Sequence, residues 1–327
     1  MISTLAGLRI SGIVCALPRS VVRTDEFKQF AEKDREALAK ATGVLSRHMA
    51  PRGADLTTYA VPAARRVLQA AAWDSVDALV VVSQTPKGFP HAVSPGTAFD
   101  IARSLGLKPD VAAFDVNLGC SGYVYGLWIA GSLLQASNSA RALLIAGDLC
   151  THAVDENDRG TSVLFGDAVS ATTIEKSTDA AAARWRFALG TEGNDVPLRI
   201  APHEAACPIL HMDGPEVFAF TLKRVPRLYD ELIGKDAPPE AVFFHQANAQ
   251  ILERLAKKLG VGDRAPCNVA RRGNTSSASI PLLVCDAGLP LASKEMDVAM
   301  LGFGIGLSWA GVRMPFGRLG VLETLEV

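Results

Sequence analysis

Apolar positions along the chain fall into two alternating patterns. Short runs without alternation recur at Leu8–Val14, Ala78–Ser83, Val111–Val116, Arg141–Gly147, Ala241–Phe244 and Asp297–Leu301. Unbroken runs of that length predict strands in sheets covered on both faces. Segments of helical period lie between them: Thr57–Ala72, a helix ending at Leu105, Pro215–Ile233, Ala249–Leu259 and Ser277–Ala287. Further strands are predicted over Ser162–Thr173, Arg184–Thr191 and Gly306–Met314, and the charged stretch Thr24–Ala41 as an exposed helix or lid. Strands alternating with helices mean an α/β architecture. The order repeats, with a polar, Ala-rich joint near residues 175–183, so a duplicated unit is expected, residues 1–177 and then 178–327.

One stretch departs from this rhythm. Residues 111–140 begin as a strand, turn through Asn117, Leu118 and Gly119, and from Ser121 read as a helix apolar on every side, uncharged until Arg141. Such a helix belongs in the middle of a large core or in a bilayer. Gly, Ser, Asn and Gln interrupt it too often for a membrane span, so a buried soluble helix is expected, with Gly122, Gly126 and Gly131 admitting close neighbours. Cys120 then stands at its N-terminus. Unpaired N–H groups and the helix dipole favour a thiolate there, which predicts a thiol pKa pulled down toward neutrality.

Composition narrows the classes. Thirty-three Lys and Arg balance 34 Asp and Glu, with no basic block, which argues against nucleic acid as the ligand. Six scattered cysteines without a CxxC pair, and an opening MISTLAGLRI without a leader pattern, predict a cytoplasmic, reduced protein carrying thiols. Cys15, Cys150, Cys267 and Cys285 adjoin apolar runs and read as core residues. His203, Cys207 and His211 have a metal-like spacing, but Pro208 interrupts them and no fourth ligand is evident, so no metal is expected.

Three chemically able residues stand just past strands or in loops: Cys120 in GCSG, His245 in FFHQAN and Asn274 in RRGNTSSAS. That edge of an open α/β sheet is where ligands bind. A thiolate to attack a carbonyl, an imidazole to donate or exchange a proton and an amide to hold an oxygen make an acyl-transfer centre. The corner Gly302–Gly306 can bring the Ile305 N–H against Cys120, so that the two backbone N–H groups form an oxyanion hole. Papain-like peptidases share the order Cys, His, Asn, but their local Cys signature is absent and the alternation is wrong for them.

The blocks ATGVLSRHMA (41–50), FDVNLGCSGYVYGL (114–127), DRGTSVLFGDA (158–168), MDGPEVFAF (212–220), FFHQAN (243–248), GNTSSASIP (273–281) and GFGIGLSWAG (302–311) span nearly the whole chain. Together they resemble the thiolase-fold condensing enzymes, most of all the β-ketoacyl-[acyl-carrier-protein] synthase III family. The resemblance implies a duplicated five-layer αβαβα sandwich with two mixed sheets around buried helices, and a homodimer. It implies a Cys120–His245–Asn274 triad that takes an acyl group from a thioester and condenses it with a malonyl thioester, releasing CO2. No cofactor beyond the coenzyme A or phosphopantetheine thioester substrates is implied, and the partner is an acyl carrier protein. Thr42, Arg159, Phe165, Phe218 and Asn248 match positions around the pantetheine tunnel. Arg254, Lys257 and Lys258 offer positive charge to an acidic carrier. The chain departs from the family at Ala37 and Ala41, where Trp and Arg often hold the adenine nucleotide, and at Gln250, which replaces an Arg facing the carrier. The departures point to a carrier-bound or unusual donor and to specialised metabolism. Acyl transfer to an alcohol or amine without decarboxylation, and a non-catalytic partner subunit, are the alternative readings.

Overall fold

The computed structural model describes residues 1–91, 94–177, 183–203, 206–288 and 295–327. In the first half the elements are β1 (Ile2–Ala6), β2 (Leu8–Leu17), β3 (Val21–Arg23), α1 (Glu32–Thr42), β4 (Ser46–His48), α2 (Leu56–Ala71) and β5 (Ala78–Val82). There follow α3 (Thr97–Leu105), β6 (Ala112–Val116), α4 (Gly122–Ala136), β7 (Arg141–Leu149) and β8 (Asp167–Lys176). The second half carries β9 (Arg184–Thr191), β10 (Leu198–His203), β11 (Ala206–Met212), α5 (Gly214–Ile233), β12 (Ala241–Phe244) and α6 (Ala249–Leu259). It ends with α7 (Val269–Arg272), α8 (Ser279–Ala287), β13 (Met296–Gly304), β14 (Ser308–Phe316) and β15 (Val321–Glu326).

Two mixed sheets result, ordered β15-β2-β8-β7-β5-β6 and β1-β9-β14-β13-β12. The halves exchange their terminal strands. β1 pairs with β9, Ile2 opposite Ala188, and β15 pairs with β2, Val321 opposite Gly12. Helices α4 and α8 lie between the sheets, where Tyr123, Leu127, Ile280 and Leu283 share one core with Val80, Leu144, Phe243 and Met300. Helices α2 and α3 cover the outer face of the first sheet, and α5 and α6 that of the second.

The glycines of α4 set how closely it lies on the first sheet. A Cβ on Gly122 would sit 2.5 Å from Val82, and one on Gly126 2.5 Å from Leu144. Only a helix without side chains there can rest directly on β5 and β7. Among the described residues no helix is long and apolar enough to cross a membrane.

Several boundaries move from their expected places. Thr24–Ala41 is not one helix but a 3₁₀ turn at Thr24–Glu26 followed by α1. Between them Phe27 and Phe30 stack at 6.4 Å and bury against Val163, which pulls the chain out of helical register. The strand expected from Ser162 begins at Asp167. The β3–β4 and β10–β11 pairs and β15 carry too short or irregular a pattern to be read in advance. Of the joint at 175–183, residues 178–182 lie outside the described residues.

Candidate active site

The strand ends bring the site together. β5 delivers Ser83 and Gln84, β6 leads to Cys120, β7 ends at Asp148 and Leu149, β12 presents His245, and β13 ends at Gly304. Cys120 precedes the first turn of α4 and is 5% exposed. The backbone amides of Ile305 and of Cys120 itself act on the thiol electrostatically, pulling its pKa down. The Ser276 hydroxyl lies 3.8 Å from Sγ. Gly304, at φ +155°, makes this approach possible, because a Cβ there would fall 2.8 Å from the Cys120 Cβ and 3.0 Å from its sulfur.

The expected thiolate-favouring pull on Cys120 does not prevail. Burial pushes its thiol up to about 12, with the Ser276 hydroxyl pulling down, the Asp148 carboxylate pushing further up and the Ile305 and Cys120 amides pulling down. Removing the sulfur from water outweighs every donor around it. A helix start exposed to solvent would have given the opposite sign.

His245 is 2% exposed and T-shaped against Phe303, with ring centroids 5.3 Å apart. Its Nδ1 lies 2.7 Å from the Ser279 hydroxyl at the start of α8, and the ring lines the cleft. Burial pushes the ring down to about 3, against a smaller upward pull from the Ser276 backbone carbonyl. The imidazole is therefore neutral across the physiological range. Asn274 is fixed between the halves: its N–H donates to Leu164, its carbonyl accepts from Gly166, and its Oδ1 accepts from the Ser276 N–H at 2.9 Å. Its Nδ2 has only a long 3.5 Å contact to the Ala247 carbonyl and remains available as a donor.

Cys120, His245 and Asn274 all line one narrow cleft of about 60 Å³, together with Gln84, Phe165, Asn248, Phe303 and Ile305. A wider groove of about 520 Å³ opens on the other side of Gln84 and Ile305, lined by Phe89, Asn117 and Gly119. Of the residues read as tunnel positions, Phe165 and Asn248 line the cleft. Asn248 also caps α6 by accepting from the Ile251 N–H at 2.8 Å.

Three others stand apart from it. Thr42 spends its hydroxyl on the end of α1, donating to Leu38 at 2.8 Å, because a helix terminus supplies unpaired carbonyls within its reach. Arg159 is held outside by a 2.9 Å ion pair with Asp34. Phe218 packs under the Arg254 guanidinium, 5.5 Å away. Arg254, Lys257 and Lys258 form an exposed face on α6, where Lys258 also donates to the Leu222 carbonyl at 2.8 Å.

Sequence reasoning passed over the residues behind the triad. Asp148 is fully buried. One of its oxygens accepts from the Ser83 hydroxyl (3.0 Å) and the N–H groups of Gln84 (2.8 Å) and Thr85 (3.2 Å); the other accepts from the Ser277 hydroxyl (2.6 Å) and N–H (3.2 Å). Burial raises its pKa and these donors oppose the rise. A lone carboxylate ending the apolar run RALLIAGD was the available signal. Gln84, Ser276 and Ser279 carried none beyond their place in strand ends and in the GNTSSAS block.

The remaining thiols and imidazoles have structural surroundings. Cys15 and Cys150 are buried and Cys285 half-buried, but Cys267 is exposed rather than in the core. His48 is pinned between the Pro18 carbonyl at 2.6 Å and the Arg272 guanidinium at 2.8 Å. The side chains of His203 and Cys207 lie outside the described residues, among which no group of three or more His, Cys, Asp or Glu is placed to hold a metal ion.

Comparisons with known proteins agree in direction. Residues 114–193 match the family model described as 3-oxoacyl-[acyl-carrier-protein (ACP)] synthase III, and residues 239–315 match its C-terminal counterpart. The chain is 32% identical over 323 residues to the β-ketoacyl-[acyl-carrier-protein] synthase III of Neisseria meningitidis, covering 94% of this chain and 99% of that one. Its fold is similar to the crystal structure of a 3-oxoacyl-(acyl-carrier protein) synthase from Burkholderia xenovorans, with a TM-score of 0.93, 35% identity and coverage of 100% and 99%. It is also similar to the priming β-ketosynthase of a polyketide biosynthetic pathway, with a TM-score of 0.82, 28% identity and coverage of 96% and 97%.

Proposed function

The chain belongs to the 3-oxoacyl-[acyl-carrier-protein] synthase III family, and from that premise we propose how its own residues divide the work. It is an acyltransferase of the thiolase fold that condenses an acyl thioester with a malonyl thioester, releasing CO2, and so starts a fatty-acid or polyketide chain. The observation that carries the residue assignment is that Cys120, His245 and Asn274, from three separate blocks, line one narrow cleft.

In this reading the Cys120 thiolate attacks the acyl carbonyl. The oxygen takes up negative charge against the Cys120 and Ile305 N–H groups, and the donor's thiolate leaves and is protonated by solvent. A malonyl thioester then places its carbonyl oxygen against Asn274 Nδ2 and His245 Nε2. Serving as a donor to the malonyl oxygen requires the neutral tautomer with its proton on Nε2, in which the Ser279 hydroxyl, 2.7 Å from Nδ1, donates to that nitrogen. The C–CO2 bond breaks, its electron pair becomes the enolate held by these two donors, and the enolate carbon attacks the Cys120 acyl group. The β-ketoacyl thioester leaves, and the released thiolate recovers a proton.

The neutral ring fixes the pH behaviour. An imidazole held at about 3 is unprotonated at every working pH. Decarboxylation by pre-acylated protein is therefore expected to stay flat from about pH 5.5 to 8 in single turnover, where an unperturbed imidazole would inflect near ~6.5. Acylation should instead climb with pH, because the thiolate population grows about tenfold per unit below the thiol's pKa. An inflection of the decarboxylation step near neutrality would contradict the neutral-donor role.

The donor is read as carrier-bound. Ala37 and Ala41 are exposed on α1 and offer neither a ring nor a guanidinium to a nucleotide, whereas the basic face of α6 favours an acidic carrier. Incubating the protein with matched acyl-carrier and acyl-coenzyme A thioesters, and following the intact-mass increment, should give acylation at least about tenfold faster from the carrier. Equal rates would overturn this choice of donor. The family's homodimer and the division at residues 177 and 178 are part of the same proposal.

A further inference from the structure

The turn that carries the Ile305 N–H has to be held beside Cys120. Gly304 and Ser308 face each other across β13 and β14, and residues 305–307 make the turn between them. Backbone bonds fix its far side: the Leu307 N–H donates to the Asn194 carbonyl and the Leu307 carbonyl accepts from the Glu192 N–H, both at 2.8 Å. On the near side, glycines at 304 and 306 flank Ile305 and give the corner freedom to pivot. An oxyanion hole works because its donors are in place before charge develops, so a donor that can swing loses much of its effect.

Two buried hydroxyls hold that near side. Ser308 donates to the Ile305 carbonyl at 2.7 Å, and its oxygen lies 2.7 Å from that of Ser121. Both residues are 1% exposed. A carbonyl can only accept, so the Ser308 proton is committed to Ile305 and the Ser121 hydroxyl is the donor to Ser308. Ser121 follows the nucleophile in GCSG and occupies the N-cap position of α4, where a serine ordinarily accepts from an N–H of the first turn. It makes no such cap bond; its hydroxyl reaches across to β14 instead. The two segments are in direct contact, since a Cβ on Gly302 would fall 2.8 Å from the Ser121 Cα.

We infer that Ser121 and Ser308 are positioning residues for acyl transfer, a hydroxyl relay that locks Ile305 so that its N–H is aimed where the acyl oxygen takes up charge. Both act through the Ile305 peptide. A Cβ on the neighbouring Gly304 would lie 3.0 Å from the Cys120 sulfur, so a small rotation of this corner moves the donor relative to the reacting carbonyl. The inference rests on the Cys120–Ile305 oxyanion hole of the mechanism above.

The test compares two reactions of Cys120 in the full chain, both read by mass on the Cys120 peptide so that exposed Cys267 does not interfere. Acylation by an acyl thioester puts negative charge on oxygen, whereas alkylation by iodoacetamide displaces iodide and needs no oxyanion hole. Thr and Val have the same shape, so Ser308→Thr against Ser308→Val isolates the hydroxyl. Ser308→Val should acylate at least about tenfold more slowly than Ser308→Thr, part of the loss known for deleting an oxyanion donor. The two should alkylate within about threefold of each other, since the thiolate is the same. Ser121→Ala leaves β14 intact and serves if the valine variant does not fold; it should slow acylation by at least about threefold and leave alkylation unchanged. Acylation at equal rates in the Thr and Val variants, acylation at the wild-type rate in Ser121→Ala, or a parallel fall in both reactions would overturn the inference. A wild type without an acyl increment on the Cys120 peptide would instead overturn the underlying choice of nucleophile.

Discussion

Cys120→Ala is expected to end acyl-enzyme formation outright. Incubated with an acyl thioester that labels the wild type, the variant should show no mass increment, and condensation should fall by roughly 10⁴-fold or more. Nothing else can take over. Cys150 is buried and its thiol is pushed far up by burial and by the neighbouring carboxylates of Asp148 and Asp167. Cys267 is exposed, while the cleft is lined by Cys120 alone among the described cysteines. The fold should survive, since the substitution removes one atom beside Gly304 and leaves the α4 core untouched. A circular dichroism spectrum like that of the wild type beside a retained mass increment would move the nucleophile elsewhere.

His245→Ala and Asn274→Ala should separate the two half-reactions. Each removes a donor that the proposed mechanism uses only on the malonyl oxygen. Decarboxylation should therefore fall by about 10²–10³-fold, as for loss of an oxyanion-hole donor, while acylation of Cys120 changes by less than about tenfold. His245 leaves a cavity against Phe303 and frees the Ser279 hydroxyl, so its variant should also be less stable. Asn274 is different, because its backbone bonds to Leu164 and Gly166 persist without the side chain. Its variant also leaves the Ser276 N–H without its acceptor Oδ1, so each variant loses one contact besides the donor itself. Equal losses in both steps would mean that these residues shape the site as a whole and do not act on the malonyl oxygen.

Much of this was legible in the order of residues. The unbroken apolar runs marked both sheets, because strands covered on two faces have no polar side to show. The all-apolar α4 announced its place between them, and its glycines the closeness of its packing. Cys120 and His245 stood out because each follows a strand and bears a chemically distinctive side chain, while Asn274 stands in the loop after α7 and was marked only by its block.

Other features depended on tertiary placement and left weaker traces. The exchange of β1 and β15 between sheets joins strands that are far apart in sequence. Thr42 and Arg159 stood in matching blocks, and their partners, the Leu38 carbonyl at the end of α1 and Asp34, could not be read from those blocks. The direction of the Cys120 shift was misread for a related reason. A helix start is visible in sequence, whereas the desolvation that overrides it comes from Gly304 and Phe303, almost two hundred positions away. Asp148 and Ser276 escaped notice because a buried network is a property of what surrounds a residue rather than of its type.

The most direct measurement follows CO2 and the acyl label together. Protein acylated on Cys120 and freed of excess donor is mixed with a malonyl thioester, and the loss of the mass increment is compared with the CO2 released and the β-ketoacyl thioester formed. One equivalent each of CO2 and β-ketoacyl thioester for every acyl group lost is the predicted result. Loss of the acyl group to an alcohol, an amine or water, with the malonyl carboxylate intact, would contradict it.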